Sequence, residues 1–163
     1  MIEPVENSTL QSLSRKFGAS VIQSGQDKGD LVAVVERGRL HEIISYLRDS
    51  HELDFNMLID LCGVDYLPRK PRFEVVYQVH SLERNERLRL KVLVPEDDCR
   101  VSTISDLYPV ADWLERECWD MFGVVFEGHP NLKRLLMYEP FAGHPLRKDY
   151  PINRRQPLIG PNN

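Results

Sequence analysis

The 163-residue chain has little of what usually announces chemistry. It contains only three cysteines, Cys62, Cys99 and Cys118, an odd number at unmatched spacing with no Cys-x-x-Cys pair. That excludes a disulfide framework, gives no iron–sulfur or zinc spacing, and favours a reducing compartment. No apolar run approaches the ~18 residues that a membrane-spanning helix requires. The first residues, Met1 to Thr9, carry Glu3 and Glu6 and no basic residue, so they lack the pattern of a secretory or transit leader. A cytoplasmic location is the default expectation. There is no Gly-x-x-x-x-Gly-Lys-Ser/Thr phosphate loop, no Gly-x-Gly-x-x-Gly turn and no Gly-x-Ser-x-Gly elbow. Net charge is −4, a poor start for a nucleic-acid binder.

What is present is an ordinary globular composition, 42% hydrophobic and 28% charged, in a length that suits one domain. Charge is unevenly distributed. Residues 129–163 carry six basic side chains against Glu139 and Asp149, a net +4, which leaves −8 for the rest of the chain. The same segment holds six of the eleven prolines. This shift divides the chain into a globular body, 1–128, and an extended basic arm, 129–163, suited to docking.

Within the body, Leu10, Leu13 and Phe17 fall at helical spacing before Gly18, a natural stop. Leu40, Ile43, Ile44 and Leu47 make one helical stripe. Short strands are expected at Ser20–Gln23 and Leu31–Val35, with Gly25, Asp27, Gly29 and Asp30 in the turn between them. Phe55, Met57, Ile59 and Leu61 alternate imperfectly. Phe73, Val75, Tyr77 and Val79 alternate cleanly, as do Leu88, Leu90, Val92 and Val94, and the link Glu83–Glu86 suits a hairpin. The expected fold is α+β: an antiparallel meander with helices packed on one face.

The densest information lies in Ala111 to Gly123, ADWLERECWDMFG. Asp112 followed by Glu115 resembles a capping box, and Gly123 can close the helix in a left-handed conformation. Asp112, Arg116 and Asp120 form a ladder at i, i+4. Two Gly-His-Pro triplets follow, centred on His129 and His144. These histidines read as turn residues bonded to backbone or carboxylate. Cys62 and Cys118 read as small core residues. The residues alone show no self-sufficient active site, and an apolar helix with a long basic arm suits a part that docks onto another.

The run Glu115 to Met137, ERECWDMFGVVFEGHPNLKRLLM, resembles the signature of the 30 kDa-type (C-type) subunit of respiratory complex I, the proton-translocating NADH–quinone oxidoreductase. Its matching positions are Glu115, Arg116, Glu117, Asp120, Gly123, Phe126, Gly128, His129, Pro130 and Arg134. HPLRKDYP, with His144, Pro145, Arg147, Lys148, Asp149 and Tyr150, is similar to the family's second block, and GVDY (Gly63–Tyr66) and SDLYPVADWLERE (Ser105–Glu117) also fit. The resemblance covers Asp60 to Pro151 well and the N-terminal third in outline. The chain ends soon after RQPLIGP, as a form not fused to its neighbour, the D-type subunit, would.

The resemblance implies a non-catalytic scaffold in the hydrophilic arm of a complex that passes electrons from NADH to quinone and moves protons. It implies no cofactor and no metal in this chain, with FMN and iron–sulfur clusters in partner subunits. The D-type subunit would be the chief partner, with the B-type and I-type subunits nearby. The hetero-oligomer would sit peripherally on the cytoplasmic side of the bacterial inner membrane, reaching the membrane only through the complex, and the residues of the two blocks would serve docking. Three alternatives stand beside this reading. One is the equivalent component of a related membrane-bound hydrogenase or dehydrogenase. Another is a small metal-dependent hydrolase built on Glu115, Asp120, His129 and His144. The third is an RNA-binding module, which the acidic body and the lack of a stacking motif disfavour.

Overall fold

A computed structural model describes residues 2–156; the last part of the expected arm, 157–163, lies outside the described residues. Helix α1 spans Ser8–Phe17. The Asn7 side chain accepts the N–H groups of Thr9 and Leu10, two of the donors a helix start leaves unpaired, and Gly18 ends the helix at φ 50°. Strands β1 (Val21–Asp27) and β2 (Asp30–Val35) form a hairpin turned at Lys28 and Gly29, both at positive φ. Gly25 is therefore inside β1 rather than in the turn expected for it. A side chain there would collide with the backbone of Glu3, which pairs across to Gln26.

Helix α2 (Leu40–Asp49) buries Leu40, Ile43, Ile44 and Leu47, the stripe read from its spacing. It carries the chain over the sheet to β3 (Met57–Asp65) at the far edge. Strands β4 (Phe73–Ser81) and β5 (Glu86–Val94) then wind back, giving the order β1-β2-β5-β4-β3. The antiparallel meander is present as β3-β4-β5, but β5 meets β2 in parallel. The cause is the α2 crossover. It delivers β3 parallel to β2, and two reversals later β5 runs in the same sense.

The core lies on one face, where Phe73, Val75, Tyr77 and Val79 pack with Leu88, Leu90, Val92 and Val94 beneath the helices. The opposite face carries cross-strand ion pairs, Lys91 with Glu74 and Arg89 with Asp30. Strand β3 explains its imperfect alternation. A bulge between Leu58 and Asp60 shifts the register, so Leu58 and Leu61 are buried while Met57 and Ile59 are exposed. The expectation for Cys62 is corrected: it follows Leu61 on the outward face of this edge strand and is exposed, while Cys118 is buried. A two-stranded parallel sheet, β6 (Arg100–Ser102) with β7 (Val125–Glu127), brackets the third helix, α3 (Ala111–Phe122). Helix α3 packs chiefly on β3, where Gly63 leaves room for the Cys118 sulfur and the Phe122 ring.

Candidate functional site

The site is the length of α3 together with the segment 129–150 that runs beside it. The helix begins without a side-chain cap, so the expected capping box does not form. Glu115 turns into the core instead. Its Oε1 accepts the Ile104 N–H at 2.7 Å and its Oε2 accepts the Thr103 hydroxyl at 2.5 Å, which pins the loop that precedes the helix. The carboxyl is fully buried, and burial pushes its pKa up to about 7 against the opposing pull of those two hydrogen bonds.

His129 lies against the same turn. Its Nδ1 accepts the Asn131 N–H at 3.0 Å, so Nε2 carries the proton and donates it to the Asp112 carbonyl at 3.2 Å. Glu115 Oε2 is 3.9 Å from that Nε2. One turn further on, Arg116 donates to the carbonyls of Lys133 and Arg134 and lies 5.0 Å from the centre of the Trp113 ring. Its ladder partner Asp112 is at 3.9 Å.

Asp120 is the most heavily used carboxylate. Its Oδ2 accepts three successive backbone N–H groups, from Leu135, Leu136 and Met137, at 3.1, 2.9 and 2.8 Å. Its Oδ1 pairs with Arg134 at 2.5 Å, and that guanidinium also donates to the carbonyls of Phe141 and Gly143. Burial opposes ionisation of Asp120, yet the Met137 N–H, the Arg134 charge and the other two N–H groups outweigh it and hold the pKa below the usual carboxylate value.

The second sequence block closes the helix. An α-helix leaves its last four carbonyls without internal donors. Here the Gly123 N–H takes that of Trp119, His144 Nδ1–H that of Asp120, the Leu146 N–H that of Met121, and Arg147 Nε–H that of Phe122. A cation at this end also suits the helix dipole. Gly123 takes the expected left-handed conformation, φ 77°, and a Cβ there would lie 2.6 Å from His144 and 2.7 Å from Arg147. Burial lowers the pKa of His144, consistent with a neutral ring that donates from Nδ1.

Beyond it, the Lys148 N–H reaches Asp65, and Asp149 reaches Arg72. Arg72 is buried among three carboxylates: Asp65, held by two hydrogen bonds, Asp149 at 2.6 Å and Glu96 at 2.6 Å. Its charge, with help from the Lys148 and Leu67 N–H groups, holds the Asp65 carboxyl well below the usual range against burial. Tyr150 stacks on Phe141 at 6.0 Å between ring centres.

The structure thus gathers most of the residues singled out in the sequence. Glu115, Arg116, Asp120, Gly123, His129, Arg134, His144, Arg147, Lys148 and Asp149 belong to one continuous seam. Phe126 instead fills the core from β7, and Gly128 makes the turn after it at φ 84°. Glu117 and Pro130 are exposed, and Pro145 is half-buried. Sequence reasoning passed over Arg72, Thr103 and Glu96. Asp65 stood inside the GVDY run without being assigned a role, whereas Arg72, in a turn with Arg69 and Lys70, had nothing to distinguish it.

Nearly every polar atom of this seam is directed at the chain's own backbone or an internal charge, so the arrangement fixes shape. The four residues of the hydrolase reading do not converge: Asp120 is spent on Arg134 and three N–H groups, and His144 on a carbonyl. Among the described residues, no group of three or more His, Cys, Asp or Glu side chains is placed to hold a metal ion. No helix among them is long and apolar enough to cross a membrane.

Fold and seam together define an α+β module that ties an extended segment along one helix, the build of an assembly component. The chain belongs to the family described as the respiratory-chain NADH dehydrogenase 30 Kd subunit, whose model matches residues 33–156. It is similar to the C-type subunit of NADH-quinone oxidoreductase from Herpetosiphon aurantiacus, 45% identical over 91% of this chain and 86% of the relative. The corresponding protein of Geobacter metallireducens is 43% identical over 94% of this chain and 96% of the relative. Among solved structures, a trypsin-resistant fragment of Nqo5 matches with a TM-score of 0.66 and 38% identity, covering 76% of this chain and 96% of the fragment. A chain of the membrane-bound sulfane sulfur reductase, an archaeal respiratory membrane complex, shares the fold with a TM-score of 0.76 at 23% identity, covering 88% of this chain and 84% of its own length.

Proposed function

We propose that this chain is a scaffold subunit of the hydrophilic arm of NADH–quinone oxidoreductase, holding partner subunits in fixed geometry and passing no electron itself. The observation that carries this is the seam. Two charged sequence blocks are used almost entirely to lock an extended segment along α3, which presents a rigid, non-planar surface at little ordering cost on association. Electron transfer then proceeds through FMN and iron–sulfur clusters in the partners, and this chain contributes by positioning them. The D-type subunit is the chief partner, with the B-type and I-type subunits nearby, on the cytoplasmic side of the inner membrane.

Residues 1–128 act as the body and 129–163 as the docking arm. In support, a solved neighbour is itself a trypsin-resistant fragment that matches about three quarters of this chain. The hydrogenase-type alternative has weaker support, since the archaeal likeness at 23% identity speaks for fold alone. The test is purification of the tagged chain from native membranes. Mass spectrometry should find the D-type, B-type and I-type subunits with it, and the preparation should oxidise NADH with a quinone. The separated chain should show no visible absorption band and no stoichiometric iron or zinc. Recovery of the chain alone, or a metal in it, would refute the proposal.

A further inference from the structure

Glu115 and His129 meet inside the molecule, at the point where the arm leaves the body. Both side chains are fully buried, and His129 Nε2 lies 3.9 Å from Glu115 Oε2. Three acceptors surround the His129 Nε2–H: the Asp112 carbonyl at 3.2 Å, Asp112 Oδ1 at 3.6 Å and Glu115 Oε2 at 3.9 Å. The carbonyl holds it. Asp112 lies in the first turn of α3, so the same carbonyl also faces the helix's own i+4 N–H and stays paired if His129 leaves. Asp112 Oδ1 is buried and accepts no hydrogen bond.

Glu115 also has a route to the outside. Its Oε2 is 2.5 Å from Thr103 Oγ1, which is 2.9 Å from Ser105 Oγ. Thr103 and Ser105, with Asp112, Gly128 and Pro130, line an open cavity of about 750 Å³. A hydroxyl both donates and accepts, so rotation of these two groups passes a proton between solvent and the buried carboxyl while the heavy atoms stay in place. Ionised, Oε2 accepts the Thr103 O–H; protonated, it donates to the same oxygen. Burial above all, with the Asp106 and Asp112 charges, opposes the ionised form. Asp106 is itself paired with His41 at 2.8 Å. Arg116, next along α3, is turned to the Lys133 and Arg134 carbonyls. Cys118 of α3 and Tyr77 of β4 also face Glu115; both are buried and bring no positive charge. Among the described residues, no lysine or arginine lies within 4.0 Å of the carboxyl, which leaves His129 as the donor that an ionised Glu115 can recruit.

We propose that Glu115 and His129 form a proton-operated joint at the root of the arm, in which loss of the carboxyl proton through Thr103 and Ser105 moves the His129 Nε2–H from the Asp112 carbonyl to Glu115 Oε2. One proton leaves to solvent, and the imidazole keeps its own on Nε2 throughout. The driving force is that a hydrogen bond to a carboxylate is roughly twice as strong as one to a neutral acceptor, and a buried charge without donors is costly. The movement reaches the backbone because His129 Nδ1 accepts the Asn131 N–H at 3.0 Å, so the turn 128–131 follows the ring. Burial sets the carboxyl's pKa at about 7, which places the change at neutral pH. The joint involves this chain's own groups alone and does not depend on the scaffold reading.

The test is a pH titration of the full-length, isotope-labelled chain by nuclear magnetic resonance, as wild type, Glu115→Gln and Thr103→Val. The Glu115 carboxyl carbon, the His129 Nε2 proton and the Asn131 amide should change together in the wild type, with one midpoint near pH 7. In Glu115→Gln the His129 and Asn131 signals should lose that shared step. Thr103→Val should raise the midpoint by about one pH unit, since a hydroxyl stabilises the charged carboxylate more than the neutral acid. That variant keeps Glu115 and gives an independent reading should Glu115→Gln fail to fold. A Glu115 carboxyl that titrates in the ordinary range overturns the proposal, as does one that titrates near pH 7 while His129 and Asn131 stay unmoved. A His129 ring nitrogen that takes up a proton at the shared midpoint would assign the step to the imidazole itself and would also overturn it.

Discussion

Arg72 and Asp149 meet at 2.6 Å across 77 residues of chain, and that pair holds the end of the seam against the sheet. Arg72 is 3% exposed and is the counter-charge of the similarly buried Asp65. Removing it leaves a buried carboxylate without compensation, a change that costs about 3–5 kcal/mol. Arg72→Leu should lose stability on that scale in urea denaturation and should speed hydrogen exchange at the Lys148 amide. Asp149→Asn removes only a half-exposed partner and should cost about 1 kcal/mol or less. Equal losses in the two variants would show that Asp65 does not depend on Arg72.

Asp120 organises the stretch 134–137. Asp120→Asn keeps an acceptor for some of the three N–H groups but leaves the Arg134 guanidinium without its charge partner. A loss of about 3 kcal/mol is expected, with faster tryptic cleavage after Arg134. Unchanged cleavage kinetics would mean that the local backbone holds without this carboxylate.

Glu115 sets the opposite pH dependence from the seam's other acids. Its folded pKa, about 7, lies above the ordinary 4.5, so between those values the folded state keeps a proton that the unfolded state has lost. Stability therefore falls as pH rises through that window, by about 3 kcal/mol in all. Asp65, Asp120 and Asp149 have lowered values; their contribution is present above about 3.8 and is lost as pH falls through their folded pKa values. Maximum stability should lie near pH 4–5 on these groups. Glu115→Gln should flatten the decline between pH 5 and 8, and parallel slopes in urea denaturation for the two proteins would exclude Glu115 as its source.

A chain stopped at Glu127 should still melt cooperatively, because the five-stranded sheet, α1, α2 and α3 all lie upstream. Its midpoint should fall, since Asp120 loses Arg134 and three N–H groups and Arg72 loses Asp149. It should not bind the D-type subunit in a pull-down. Retained binding would move the docking surface into the body, and loss of the cooperative melt would make the seam part of the folding unit.

Local pattern was enough for the elements. The helical stripe at Leu40, Ile43, Ile44 and Leu47, the alternation through Phe73–Val79 and Leu88–Val94, and the stops at Gly18 and Gly123 all depend on neighbours a few residues away. Each could be read without knowing the fold. The same holds for the two charged blocks, whose residues stand close in sequence.

Tertiary structure decided what those residues meet. Whether Glu115 caps its own helix or reaches Ile104 depends on where the preceding loop is packed, and a carboxylate in water has no preference strong enough to reveal it. The parallel β2–β5 pairing follows from a crossover, and the exposure of Cys62 from its outward face on an edge strand; neither is coded by hydrophobicity at one position. Arg72 looked like any cation in a basic turn until the fold placed Asp65, Glu96 and Asp149 around it, from 7, 24 and 77 residues away. Such contacts are set by the geometry of the whole chain, because a charge pairs with whatever burial brings within reach.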